Sequence, residues 1–307
     1  MRRNATNDHG LLRFLLATTA LLLLLAASAH ARDGRYDEVH PVEKGTRLVI
    51  EHDVGALVIL TWERDAIGVE ARYDADDHEL DVRDSGLWFN VDLMGRRGPK
   101  GYAELALRVP EWIPVEVRGH EVDVEIEGVL ASVDVDLVGG DVFVRGGRGR
   151  VDVTTVHGGI EIQDATGEID LTTVHEDVEL HDCSGEVRVE CVNGDVRMEG
   201  LQSAAVDVAT THGDILIDGT LEANGDFHLS THAGDVAVSL LPGTDLTVTV
   251  DTFHGTVRAR LDAELEVVRE GKRYRMVLGE GRGRLSIESF EGDVVLYDPK
   301  RGRGKRG

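Results

Sequence analysis

"TTVHGGIEIQDATGEIDLTTVHEDVEL" spans residues 154–180, and in it T-T-V-H occurs twice, 18 residues apart. Between the copies the chain alternates: Ile160 and Ile162 are separated by Glu161, and Ile169 and Leu171 by Asp170. Alternation of this kind is the signature of a strand with one buried face, because successive side chains point to opposite sides. Working outward, equivalent turns fall at Gly139, His157, His175, Asn193, His212, Ala233 and His254, at spacings of 18, 18, 18, 19, 21 and 21 residues, with a further turn at Glu291. A fixed period near 20 marks a repeat architecture.

Each period divides into two halves of about nine residues, as in "GEIDLTTVH" and "EDVELHDCS", then "GEVRVECVN" and "GDVRMEGLQ". Each half reads as a short strand and a turn. The pattern points Ile169, Leu171, Val178, Leu180, Val187, Val189, Val196 and Met198 inward. It points Asp170, Glu179, Arg188, Glu190, Arg197 and Glu199 outward. Two strands per coil can close over one another, and stacked coils pair their backbones in parallel ladders about 4.8 Å apart. One coil alone cannot bury its face, so the coils are stable only together. The expected fold is all-β: an elongated parallel β-solenoid of the β-helix or β-roll kind, with coils of 18–21 residues.

The expected organisation has four parts. Residues 1–31 read as a signal peptide: Arg2, Arg3 and Arg13, an apolar run from Phe14 to Ala27, and A-H-A at Ala29 to Ala31. Residues 32–130 form a less regular start or cap, where Trp62, Tyr73, Trp88, Phe89, Tyr102 and Trp112 gather. Residues 131–298 form the regular coils, with an irregular insertion or hairpin at 263–284 before one last coil. Residues 299–307 form a solvated basic tail. Export to the periplasm, the cell envelope or the exterior follows from the leader, with no transmembrane segment after cleavage.

The chain has 307 residues, 57 acidic and 33 basic. From Arg32 onward the counts are 56 and 30, a net charge of -26. That balance speaks against nucleic-acid binding through the body of the protein and favours cations or basic surfaces.

At this point the chain resembles a family of secreted bacterial β-strand-repeat proteins called "putative adhesins", a domain of unknown function. The resemblance rests on "TRLVIEHDVGALVILTWERDAIGVEA", "LRVPEWIPVEVRGHEVDVEIEG", the turns "CVNGD", "TTHGD" and "TFHGT", and "GEGRGRLSIESFEGDVVL". It covers nearly all of the chain beyond the leader. It implies an envelope-associated β-helical protein and supplies no catalytic residues. His stands here at several turn positions where the family uses Asn.

Four sets of residues could carry chemistry. The turn histidines His157, His175 and His212, with His254 further on, could bind zinc, nickel or copper or respond to pH. Asn193 occupies the same position, so the expected role is that of a turn former and no metal site is assigned. Thr155, Thr173, Thr210, Thr231 and Thr252, with Cys191 and Ser289, form an inward column expected to satisfy its hydroxyls coil to coil. Surface carboxylates could serve a glycosidase, but short loops build no cleft. The nine-residue acidic half-coils lack the G-G-x-G-x-D motif of calcium-binding β-rolls. Cys183 and Cys191 are expected as two buried thiols. The function expected is a non-enzymatic binding, adhesion or scaffold module. It needs no cofactor, and its partner is an envelope or extracellular polymer or protein. The alternative is a carbohydrate-active enzyme on the same fold.

Overall fold

The computed structural model describes residues 33–261 and 266–299. The expected signal peptide, residue 262, residues 263–265 of the expected insertion, and the tail beyond residue 299 lie outside the described residues. Among the described residues every named element is a strand.

The 18-residue period is the strand register itself. Arg148–Thr154 pairs in parallel with Thr166–Thr173, placing Val151 beside Ile169 and Val153 beside Leu171. The next coil repeats this, with Ile169 beside Val187 and Leu171 beside Val189. A second ladder is built from the other half of each coil, where Ile160–Gln163 pairs with Val178–His181 and Val178 then meets Val196. The eight residues expected to face inward are all buried, none more than 3% exposed. Each contributes about 1.5–3 kcal/mol of burial. The chain is thus all-β and solenoid-like in its stacking.

Where coils lengthen, bulges absorb the extra residues. Ser184 meets Gln202, yet Glu186 meets Ala205. Beyond the next slip Ala205 meets Asp226. The apolar phase recovers each time, so that Val206 stands beside Phe227 and Val208 beside Leu229.

The N-terminal part is built differently. Arg47–Trp62 serves both ladders, turning at Gly55, whose φ is +139°. A Cβ there would lie 1.8 Å from the Ala103 carbonyl oxygen, so only glycine fits. Antiparallel strands then close this end. Ala66–Asp74 lies on Ala103–Pro110, Asp33–Pro41 on Ala66–Asp74, and His78–Asp84 on Trp88–Gly95. The aromatic residues here do not make one cluster. Phe89 is fully buried, whereas Trp88 and Tyr102 are exposed.

At the other end the coils do not stack in chain order. Gly283–Glu291 pairs on one side with Ile215–Ala233 and on the other with Leu246–His254. Val294–Tyr297 likewise lies between Val236–Ser239 and Val257–Arg260. The coil that is last in sequence is therefore not last in space. Within the expected insertion, Glu266–Glu270 and Arg273–Val277 form an antiparallel hairpin that covers Leu246–His254.

His52 is buried at the turn of Arg47–Trp62, with Nδ1 3.3 Å from the Leu93 carbonyl and Nε2 3.3 Å from that of Ala103. A neutral imidazole donates to only one of them. Burial lowers its pKa below the ordinary 6.5, against the upward pull of the two carbonyls and Asp53, and His78 adds to the lowering. A histidine whose folded value is lowered gives stability that is complete above 6.5 and is lost as pH falls toward the lowered value. Urea midpoints should therefore drop between pH 7.5 and pH 5.5, and His52→Gln should flatten that dependence.

Candidate functional site

Every coil turns the same corner, and one carboxylate recurs there. The residue that follows the turn glycine is usually Asp, as in Gly140-Asp141, Gly194-Asp195 and Gly213-Asp214. The recurring acid stands at positions 123, 141, 177, 195, 214, 235 and 293. Asp123 Oδ1 accepts the backbone N–H of Asp141 at 3.1 Å, and Asp141 Oδ1 that of Gly159 at 2.9 Å. After a gap at Gly159 the ladder resumes: Asp177 Oδ1 accepts from Asp195 (2.7 Å), Asp195 from Asp214 (2.8 Å) and Asp214 from Asp235 (2.7 Å). Asp235 then accepts from Asp293 and Asp293 from Thr256, which follows the order of the coils in space and not in sequence.

Inside this corner runs the Thr column, in register from Thr173 through Cys191, Thr210, Thr231 and Ser289 to Thr252. The expectation that hydroxyls satisfy one another needs correction. Thr173, Thr210 and Thr231 donate to the turn carbonyls of Gly158, Gly194 and Gly213 at 3.1, 3.4 and 3.2 Å. Thr155, Thr252 and Ser289 have no hydrogen-bond partner for their buried hydroxyls among the described residues. Cys183 and Cys191 are both buried and unbridged. Burial pushes the Cys183 thiol up to about 11 and raises that of Cys191. Neither has the lowered pKa of a reactive thiol.

Outside the corner stand the histidines. His157 and His175 stack face to face, 4.8 Å between centroids and 6° between planes. Asn193 Nδ2 lies 3.4 Å from His175 Nδ1. His212 is not part of that stack; its ring neighbour is His232, edge-on at 6.4 Å. Among the described residues no three His, Cys, Asp or Glu side chains converge on a metal position.

The sequence reading missed an aromatic row beside His232. His232 stacks on Phe290 at 4.8 Å, and Phe290 on Phe253 at 5.0 Å and 3°. Lys272 Nζ sits 3.4 Å from the Phe253 ring centre. These residues, with Asp251 and Glu288, line a hollow of about 450 Å³. Phe253 and Phe290 are far apart in sequence, and only the interleaved last coil brings them together.

The outward acids of successive coils lie in columns. Asp134, Asp152 and Asp170 lie in register, followed by Arg188. Glu161 and Glu179 do the same, followed by Arg197. Partial burial, then Asp152, raises the pKa of both Asp134 and Asp170.

The corner can be tested by substitution. Gly159 has no side chain to accept the Asp177 N–H, and a Cβ there would make only ordinary contacts at 3.6 and 3.7 Å. Gly159→Asn should add the missing bond, stabilise by about 1 kcal/mol and raise the melting midpoint by about 2–4 °C. Replacing His157 and His175 with Asn should change stability by less than about 1 kcal/mol in chemical denaturation, because Asn193 already fills the same place.

Residues 166–296 match the family Toastrack DUF4097. No curated protein matches the chain. A solved structure described as "a putative adhesin" from Bacteroides fragilis is 13% identical, covering 88% of this chain and 100% of its own, with a TM-score of 0.43. One from Parabacteroides merdae is 8% identical, covering 88% and 99%, with a TM-score of 0.49. One from Parabacteroides distasonis is 9% identical, covering 87% and 98%, with a TM-score of 0.47. Over residues 166–296, which hold the turns "CVNGD", "TTHGD" and "TFHGT", the chain is similar to Toastrack DUF4097.

Proposed function

We propose that the chain is an exported, non-enzymatic binding module of the cell envelope or exterior. On this reading it is an elongated parallel β-solenoid that engages a cationic or cation-bridged polymer through its surface columns. The observation that carries the reading is the in-register acid column Asp134–Asp152–Asp170. Stacked carboxylates one strand spacing apart repel one another, and Asp152 adds to the burial that raises the pKa of Asp134 and Asp170. A cation lying along the column relieves the repulsion at several acids together. Each contact is weak in solvent, and affinity comes from repetition.

One feature favours a second reading, a carbohydrate-active enzyme. The hollow beside Phe253 and Phe290 holds two carboxylates, Asp251 and Glu288, on neighbouring strands. Against it, the Asp251 carboxylate is held by two bonds from Arg273, at 2.8 and 2.9 Å.

Soluble chitosan oligomers and polylysine are suitable probes for the binding reading. Binding should weaken with salt, since exposed charges are screened beyond about 8 Å at physiological ionic strength. It should also weaken as pH falls, starting above the ordinary aspartate range because burial and the neighbouring Asp152 raise the values of Asp134 and Asp170. Asp152→Lys alone should cost little affinity, and Asp134→Lys, Asp152→Lys and Asp170→Lys together should abolish it. Measurable glycan turnover lost on Glu288→Gln would establish the enzyme reading instead.

A further inference from the structure

The two ladders end differently at the C-terminal side. Leu246–His254 is paired on its outer edge by Arg273–Val277, which Glu266–Glu270 pairs in turn. Val257–Arg260, the last strand of the other ladder, pairs only with Val294–Tyr297 among the described residues. The carbonyls of Thr256 and Arg260 accept from Val294 and Asp298, at 2.9 and 3.2 Å. Backbone groups alternate in direction along a strand, so the N–H and C=O of Val257 and Ala259 face the open side.

The same strand leaves its inward face only partly covered. Val294 and Leu296 are 0% exposed. Their register partners differ: Val257 is only partly buried and Ala259 is exposed. An unpaired edge and an unfinished core therefore coincide, and a single added strand would complete both. Arg258 and Arg260 flank the edge on the outward face, a common guard against indiscriminate pairing. Arg258 touches Asp293 at 3.1 Å yet stays half exposed. The two arginines also select by charge. Residues 256–307 hold 13 basic and 9 acidic side chains, whereas residues 32–255 hold 17 and 47. Among the described residues from 256 onward 8 are basic and 7 acidic, so this part lacks the acid excess of the rest and Arg258 and Arg260 set the charge beside the edge.

We infer that Val257–Arg260 accepts an extended strand from a separate polypeptide whose residues alternate apolar and acidic. The apolar side chains would cover Val257 and Ala259, the acids would meet Arg258 and Arg260, and the main chain would pair with the open edge, as in strand addition generally. The chain's own basic tail has the wrong charge for this place.

The probe is an octapeptide of sequence EVDVEIEG, the alternating pattern of residues 121–128, offered to the mature full chain. It should bind and slow amide exchange at Val257 and Ala259. The charge-inverted peptide KVKVKIKG should not bind. Ala259→Pro removes an N–H that the fold does not use and should abolish binding with the melting midpoint unchanged. Arg258→Glu with Arg260→Glu, which leaves the backbone alone, should weaken binding at least tenfold. Absence of binding by the acidic peptide, or binding that both variants leave intact, overturns the inference. Self-association of the free protein that Ala259→Pro abolishes would assign the edge to a second copy and overturn the separate partner.

Discussion

Everything in this fold depends on phase. A strand repeats every two residues, so a one-residue slip between neighbouring coils would turn an apolar row outward and an acid row into the core. The chain keeps phase through 18-residue coils without adjustment. When coils lengthen it confines the surplus to bulges, and Val206 and Val208 still stand beside Phe227 and Leu229. Glycine at the corners and the recurring aspartate hold the turn so that each strand starts at the same height as the one beneath.

The inward rows and outward columns were legible because they lie in one strand pattern, read two residues at a time. The same reasoning placed Cys183 and Cys191 in the interior. The corner aspartates were visible as "GD" in the turns, but their use was not. Bonding from a side chain to the backbone of the next coil depends on a direction that alternation does not encode. The Thr column shows the same limit: its inward placement follows from period, whereas the choice of a turn carbonyl as partner depends on local geometry. The antiparallel closure at the first end was hidden because Ala66–Asp74 and His78–Asp84 alternate like any coil strand.

Sequence order concealed the arrangement at the other end. Turn signals at Ala233, His254 and Glu291 read as one series, yet Glu291 lies between the other two in space. Nothing in a repeat distinguishes a strand that stacks on its predecessor from one that returns to an earlier coil. The aromatic row of His232, Phe290 and Phe253 was unreadable for the same reason. The acid columns, by contrast, lie in the early coils, where sequence order and spatial order agree, so their stacking follows from the 18-residue period.

The interleaved coil also bears on how the molecule is made. Gly283–Glu291 and Val294–Tyr297 are the wedge between two coils that precede them in the chain. Until that wedge arrives, Ile215–Ala233 and Leu246–His254 have no shared partner. Growth by simple addition, one coil on the last, therefore stops short of the native state. The architecture acts as its own check on synthesis: a product cut short before Gly283 would keep an orderly stem but lack a closed end.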